Sequence, residues 1–100
     1  MDIDTIRQLC SDGLIEWTEH SVIRIIQRGI TKQDIEDVLK TGEIIENYPD
    51  DYPYPSCLIL GGEKSLHVVC GIESKLWIIT AYHPDLAKWE DDYKTRREAR

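Results

Sequence analysis

At residue 43 the apolar residues of this chain change their period, from near 3.6 before it to 2 after it. No other feature restricts the fold as strongly. A helix-period half does not lie in a sheet, and a strand-period half does not make an amphipathic helix. The chain therefore reads as helices followed by an antiparallel sheet, an α+β architecture.

The helical half has its own punctuation. Ile3, Ile6 and Leu9 suggest a short first helix that stops at Asp12-Gly13, where glycine takes the left-handed conformation easily. Thr18 is an N-cap for a second helix, with Glu19 near its positive end and Gly29 as its stop. Val22, Ile23, Ile25 and Ile26 form the apolar side expected to pack on the sheet. Thr31 caps a third helix, with Asp34 completing an acidic capping box, and Gly42 closes it after Ile35, Val38 and Leu39.

After residue 43, EIIENY, CLILG, SLHVVCG and LWIITAY read as four strands. PDDYPYP carries three prolines and must be a loop. Gly61-Gly62 and GIESK make short turns, so sequential strands run antiparallel. Beyond HPD, the spacing of Leu86, Trp89 and Tyr93 predicts a short C-terminal helix that frays at 96–100. The layout is N-terminal helices on a four-stranded antiparallel sheet, in a single domain spanning 1–100, since 100 residues suffice for one core.

Composition narrows the function classes. With 41% hydrophobic and 31% charged residues the chain is globular, and no apolar run approaches the roughly 20 residues of a spanning helix. No secretory h-region precedes the first helix, so the expected location is the cytoplasm. Cys10, Cys57 and Cys70 form no CxxC pair, which argues against a zinc site and fits buried free thiols in a reducing compartment. The net charge of −7 disfavours nonspecific nucleic-acid binding, although KTRREAR at 94–100 is locally basic.

Two groups of polar residues stand out. His20, Arg24 and Arg28 recur every fourth residue on one side of the second helix, across roughly 80°. Such a stripe reads either as a solvated face or as a holder of phosphate or carboxylate, which guanidinium binds by a bidentate fork. The second group is His67, Thr80 and Tyr82. A turn centred on Glu73-Ser74 would set His67 opposite Thr80 with Tyr82 diagonal to it, a grouping able to supply acid, base and hydrogen-bond donor or simply to fill the open sheet face. The two groups meet only if the second helix lies at the sheet's edge.

Other chemistries lack their residues. His20, His67 and His83 come from separate elements without metal-ligand spacing, and neither a phosphate-cradling glycine loop nor a nucleophile elbow occurs. No metal or other cofactor is expected. Asp50-Asp51 and Asp91-Asp92 read as solvated pairs, and Tyr48, Tyr52 and Tyr54 as an aromatic loop that covers an edge strand or stacks on a base.

The stretches WTEHSVIRIIQRGIT, DIEDVLKTGEIIENYP, LHVVC and ITAYHPDLAKWEDDYKTRR, in this order and spacing, resemble domain-of-unknown-function family 4258. Its members look like relatives of the RelE-type and MqsR-type toxins of toxin–antitoxin systems. The resemblance implies a RelE/barnase-like fold and places the family pattern on His20, Arg24, Arg28, His67, Thr80, Tyr82 and Arg96-Arg97. It implies a metal-independent RNA endonuclease that cleaves by 2′-OH attack. His67 and Tyr82 would then be the acid–base pair, with His20 a second acid–base group or a substrate contact. Arg24 and Arg28 would clamp phosphate, joined by Thr80, Arg96 and Arg97. RNA would be the substrate and an antitoxin with a zinc-ribbon domain the protein partner. The alternative is a non-catalytic binding module on the same fold that recognises an anionic partner or an antitoxin-like protein. A homodimer stays open, and no membrane partner is expected.

Overall fold

A computed structural model describes residues 1–98. Three helices, α1 (Ile3–Ser11), α2 (Glu19–Gln27) and α3 (Lys32–Thr41), precede most of the sheet, as the change of period requires. Each helix begins where a side chain satisfies its free amides. Asp2 caps α1, while Thr18 with Ser21 and Thr31 with Asp34 close reciprocal capping boxes on α2 and α3.

The sheet has five strands, not four, and it is mixed. To β2 (Glu43–Tyr48), β3 (Ser56–Gly61), β4 (Leu66–Glu73) and β5 (Lys75–Tyr82), which form the expected antiparallel meander, is added β1 (Ile15–Trp17). It lies parallel to β5, pairing Ile15–Trp17 with Leu76–Ile78, in the order β1-β5-β4-β3-β2. Three residues are too few to display a period, so β1 has no signal of its own in the sequence. It is short for a second reason. Past Ile78 the outer edge of β5 is taken over by α2, which starts two residues after β1 ends.

One sheet face packs on the helices. Ile6, Ile25, Ile35, Val38 and Leu39 meet Cys57, Ile59, Val68, Cys70, Leu76, Ile78 and Ala81 in one buried core. Cys57 and Cys70 are buried free thiols paired across β3 and β4, with sulfurs 3.9 Å apart, and Cys10 is half-buried. Among the described residues no helix is long and apolar enough to cross a membrane.

Residues 83–98 cover part of the other face. The expected C-terminal helix is not there: this segment is a run of turns closed by an isolated bridge between Trp89 and Arg96. Asp85 and Asp92 explain why. Their carboxylates accept from the backbone amides of Ala87, and of Lys94 and Thr95, local bonds that compete with a helical ladder. Residues 99 and 100, on which the expected fraying partly falls, lie outside the described residues.

Candidate functional site

Two bulges decide what the second sheet face carries. Cys70 pairs with Ile78 but Val69 pairs with Thr80, so Ile79 is the extra residue. Strict alternation would send Thr80 and Tyr82 to the core side with Leu76 and Ile78. The bulge turns them onto the face of His67 and gives the core position to Ala81. His67 consequently stands opposite Tyr82, not opposite Thr80 as a regular hairpin predicts. A second bulge between Ile44 and Glu46 pairs Glu46 with Leu58 and leaves Ile45 unpaired.

His67 is completely buried. Trp89, itself 3% exposed, meets its ring edge-on at 4.5 Å, and Tyr82 does so at 5.2 Å. Its Nε2 contacts the carbonyl of Tyr93, which can only accept, so Nε2 carries the proton. Nδ1 is then the acceptor for the Tyr82 hydroxyl, 3.3 Å away. Burial holds the imidazole below its ordinary pKa, against the opposing pull of the Tyr93 carbonyl and Glu46. His67 is thus a neutral, fully engaged histidine that ties β4 to the C-terminal segment. It does not face solvent.

The guanidinium of Arg96 lies 4.5 Å over the Trp89 ring and binds Glu46 through two hydrogen bonds of 2.8 and 2.9 Å. Arg96 keeps the Glu46 carboxyl below its usual range, and Glu46 in turn raises the Arg96 pKa. Tyr48, hydrogen-bonded to the same carboxylate, is pushed up to about 12 by burial and by Glu46. Arg97 serves its own segment, donating to the Leu86 carbonyl and to Glu90.

Arg28 reaches the same face from the other side. It donates to Thr80 Oγ1 at 3.0 Å and to the Ala81 carbonyl at 2.8 Å. The second helix does lie at the sheet's edge, and Arg28, its C-cap, reaches across that edge. Burial raises the pKa of Tyr82, while Arg96 and Arg28 both pull it down. A cleft of about 350 Å³ opens beside Tyr82, edged by His83, Asp85, Lys88, Trp89 and Arg96. Arg28, Thr80, His67, Tyr82 and Arg96 are therefore brought together around one end of β5. His20 and Arg24 are exposed on α2, their side chains make no hydrogen bond among the described residues, and they are not part of that group. His83 and Lys88 edge the cleft although the sequence reading gave them no role. The one signal that could have found His83 is its position next to Tyr82. Among the described residues no three His, Cys, Asp or Glu side chains gather as a metal site requires.

Residues 17–83 match the model of the family described as Domain of unknown function (DUF4258). The chain belongs to that family. No curated protein and no solved structure matches it. The DUF4258 span begins in β1 and ends just after β5, so it includes His20, Arg24, Arg28, His67, Thr80, Tyr82 and His83. Trp89, Arg96 and Arg97 lie outside it. In this DUF4258 chain, the wall that buries His67 is thus supplied by residues beyond the family's matched span.

Proposed function

We propose that the protein is a binding module that recognises an anionic, phosphate-bearing partner at the cleft beside Tyr82. One observation carries this reading. The histidine best placed for acid–base work, His67, is buried with both ring nitrogens engaged, whereas Lys88, Arg96 and Tyr82 edge an open cleft with Asp85 at its rim. Phosphate contacts from such groups position a ligand without requiring a reaction. Single-stranded RNA is the class to test first, with Trp89 and Tyr82 as aromatic neighbours. A labelled single-stranded RNA followed by fluorescence anisotropy at low salt should bind, and Lys88→Ala should weaken it about tenfold. Binding that ignores Lys88→Ala and Tyr82→Phe would remove the cleft from consideration.

A second reading keeps the cleft and adds catalysis: a metal-independent RNA endonuclease, the toxin of a RelE/MqsR-like pair with a zinc-ribbon antitoxin, acting in the cytoplasm. It is favoured by the Tyr82 hydroxyl, which has a proton acceptor behind it in His67 Nδ1 and the charges of Arg28 and Arg96 nearby. The substrate 2′-oxygen, losing its proton to a base, would attack the adjacent phosphate; the bond from phosphorus to the 5′-oxygen would break as an acid protonates that oxygen, and the charge gathered on the phosphate would fall to the arginines. Proton transfer would go to Tyr82 and the exposed His83, with His67 positioning the phenol. His20, Arg24 and Arg97 would contact the substrate farther out. Helices on one sheet face are the part of the RelE/barnase-like layout on which this reading draws. Cleavage in chelator to 2′,3′-cyclic phosphate ends, lost in Tyr82→Phe, supports it; intact RNA at full binding leaves the binding module.

A further inference from the structure

Residues 84–98 cross the sheet from the end of β5 to its far edge. They leave β5 after Tyr82, pass over His67 on β4, and reach β2 at Glu43 and Glu46. Most of their hydrogen bonds are internal. The backbone amide of Trp89 donates to the Asp85 carbonyl, that of Glu90 to Thr95, and that of Arg97 to Lys88. The segment is therefore a small folded unit laid on the sheet, and of residues 83–98 only Trp89 is buried.

Its ties to the sheet are few. Over β4, Trp89 meets the His67 ring and the Tyr93 carbonyl accepts from His67 Nε2. Over β2, Arg96 binds Glu46, and Lys94 binds Glu43 at 3.0 Å. Ion pairs as exposed as these add little stability and are screened by salt. The cover can thus open at β2 while it stays joined to β5 at His83-Pro84, and the core on the opposite sheet face is not disturbed.

What lies beneath gives the opening a consequence. The Tyr93 carbonyl holds His67 in the tautomer whose Nε2 carries the proton, and in that tautomer Nε2 is no base. With the carbonyl gone, the proton can sit on Nδ1 and be donated to the Tyr82 oxygen, which leaves Nε2 an open acceptor. Arg28 is held by α2 and Thr80 by β5, so both stay behind.

We propose that residues 84–98 are an autoinhibitory strap, latched at β2 by Glu43 and Glu46, whose opening turns His67 from a positioning residue into the base of RNA cleavage. This rests on the endonuclease reading. Closed, that reaction has only Tyr82 and His83 for its protons. Open, Nε2 takes the 2′-hydroxyl proton as that oxygen bonds to phosphorus, and the bond to the 5′-oxygen breaks as His83 protonates it. Arg28 meets the charge on the phosphate, since Arg96 leaves with the strap.

The test reads cover and activity separately in the full-length protein. Diethyl pyrocarbonate modifies accessible imidazoles, and mass mapping compares His67 with the exposed His20 and His83. In wild type, His67 should react about tenfold more slowly than those two. Glu43→Gln/Glu46→Gln, and separately Trp89→Ala, should bring it close to their rate, while the buried Cys57 and Cys70 stay closed to a thiol reagent. Both variants should cleave single-stranded RNA in chelator about tenfold faster than wild type, and adding His67→Gln should remove the gain. Exposed His67 at the wild-type cleavage rate overturns the strap and leaves the endonuclease reading standing. Exposed His67 with no cleavage in any form removes that reading and the inhibition with it. Protection of His67 in both variants overturns the strap whatever the RNA does.

Discussion

Arg28, at the end of α2, donates to the hydroxyl of Thr80 and to the carbonyl of Ala81, and so bonds to the edge of β5 that no strand covers. An edge carbonyl left without a donor in a part-buried site costs about 1–2 kcal/mol. Arg28→Ala should therefore lower the urea midpoint by an equivalent amount, and Thr80→Val by less, because the Ala81 bond survives. Equal midpoints for Arg28→Ala and wild type would mean that water replaces the guanidinium at no cost.

His67 gives a pH dependence whose sign follows from its burial. Its folded pKa is lowered, so below the ordinary value of about 6.5 the unfolded chain binds a proton that the folded chain resists. Stability from this group is present above about pH 6.5 and is lost as pH falls toward the folded value. Glu46 and Asp34, whose pKa values are lowered carboxylates, lose their contribution only at lower pH, below about 4. Thermal midpoints between roughly pH 7 and 5 should fall more steeply for wild type than for His67→Gln. Parallel slopes would mean that His67 protonates in place.

The second and third helices were legible because each carries its own start signal, Thr18 for one and Thr31 with Asp34 for the other, and the first from the spacing of Ile3, Ile6 and Leu9. The meander was legible for the same reason, from alternation and turn residues. Three things were not. β1 is only three residues long and is set by pairing with β5, nearly 60 residues along the chain, so locally its residues look like the approach to a helix. The bulge at Ile79 depends on what β5 packs against, and it moved His67 from Thr80 to Tyr82. The spacing of Leu86, Trp89 and Tyr93 fits a helix, but Asp85 and Asp92 fold the segment into turns and only Trp89 of the three is buried. The candidate residues were found by type, while the burial of His67 depends on that segment and could not be read from local pattern.

Gly71 lies beneath Tyr54, and a Cβ there would come within 2.6 Å of the ring and 3.0 Å of the Pro55 carbonyl. Tyr54 stacks on Trp77 at 6.5 Å. Gly71→Ala should displace the ring, alter Trp77 fluorescence, and cost about 1–2 kcal/mol. Gly42 has less freedom, since a Cβ would meet the Val38 and Leu60 carbonyls at 2.5 and 2.7 Å, and backbone cannot swing aside. Gly42→Ala should cost more than Gly71→Ala in chemical unfolding; the reverse order would put the strain on the wrong side of the sheet.

Glu46 and Arg96 hold the C-terminal segment over His67. The pair is mostly on the surface, so its net contribution to global stability is about 1 kcal/mol or less. Its local effect is larger in kind, because Arg96 covers Trp89 and Trp89 covers His67. Arg96→Ala should loosen the segment without unfolding the sheet: faster proteolysis within 83–98 and red-shifted tryptophan emission, with the urea midpoint nearly unchanged. Arg96 holds the Glu46 pKa below its usual range, so the pair is fully formed above about pH 4.3 and is lost as pH falls through the lowered value. Wild type should accordingly show the same red shift in acid that Arg96→Ala shows at neutral pH. If the variant keeps Trp89 protected at neutral pH, the His67–Tyr93 bond alone secures the segment.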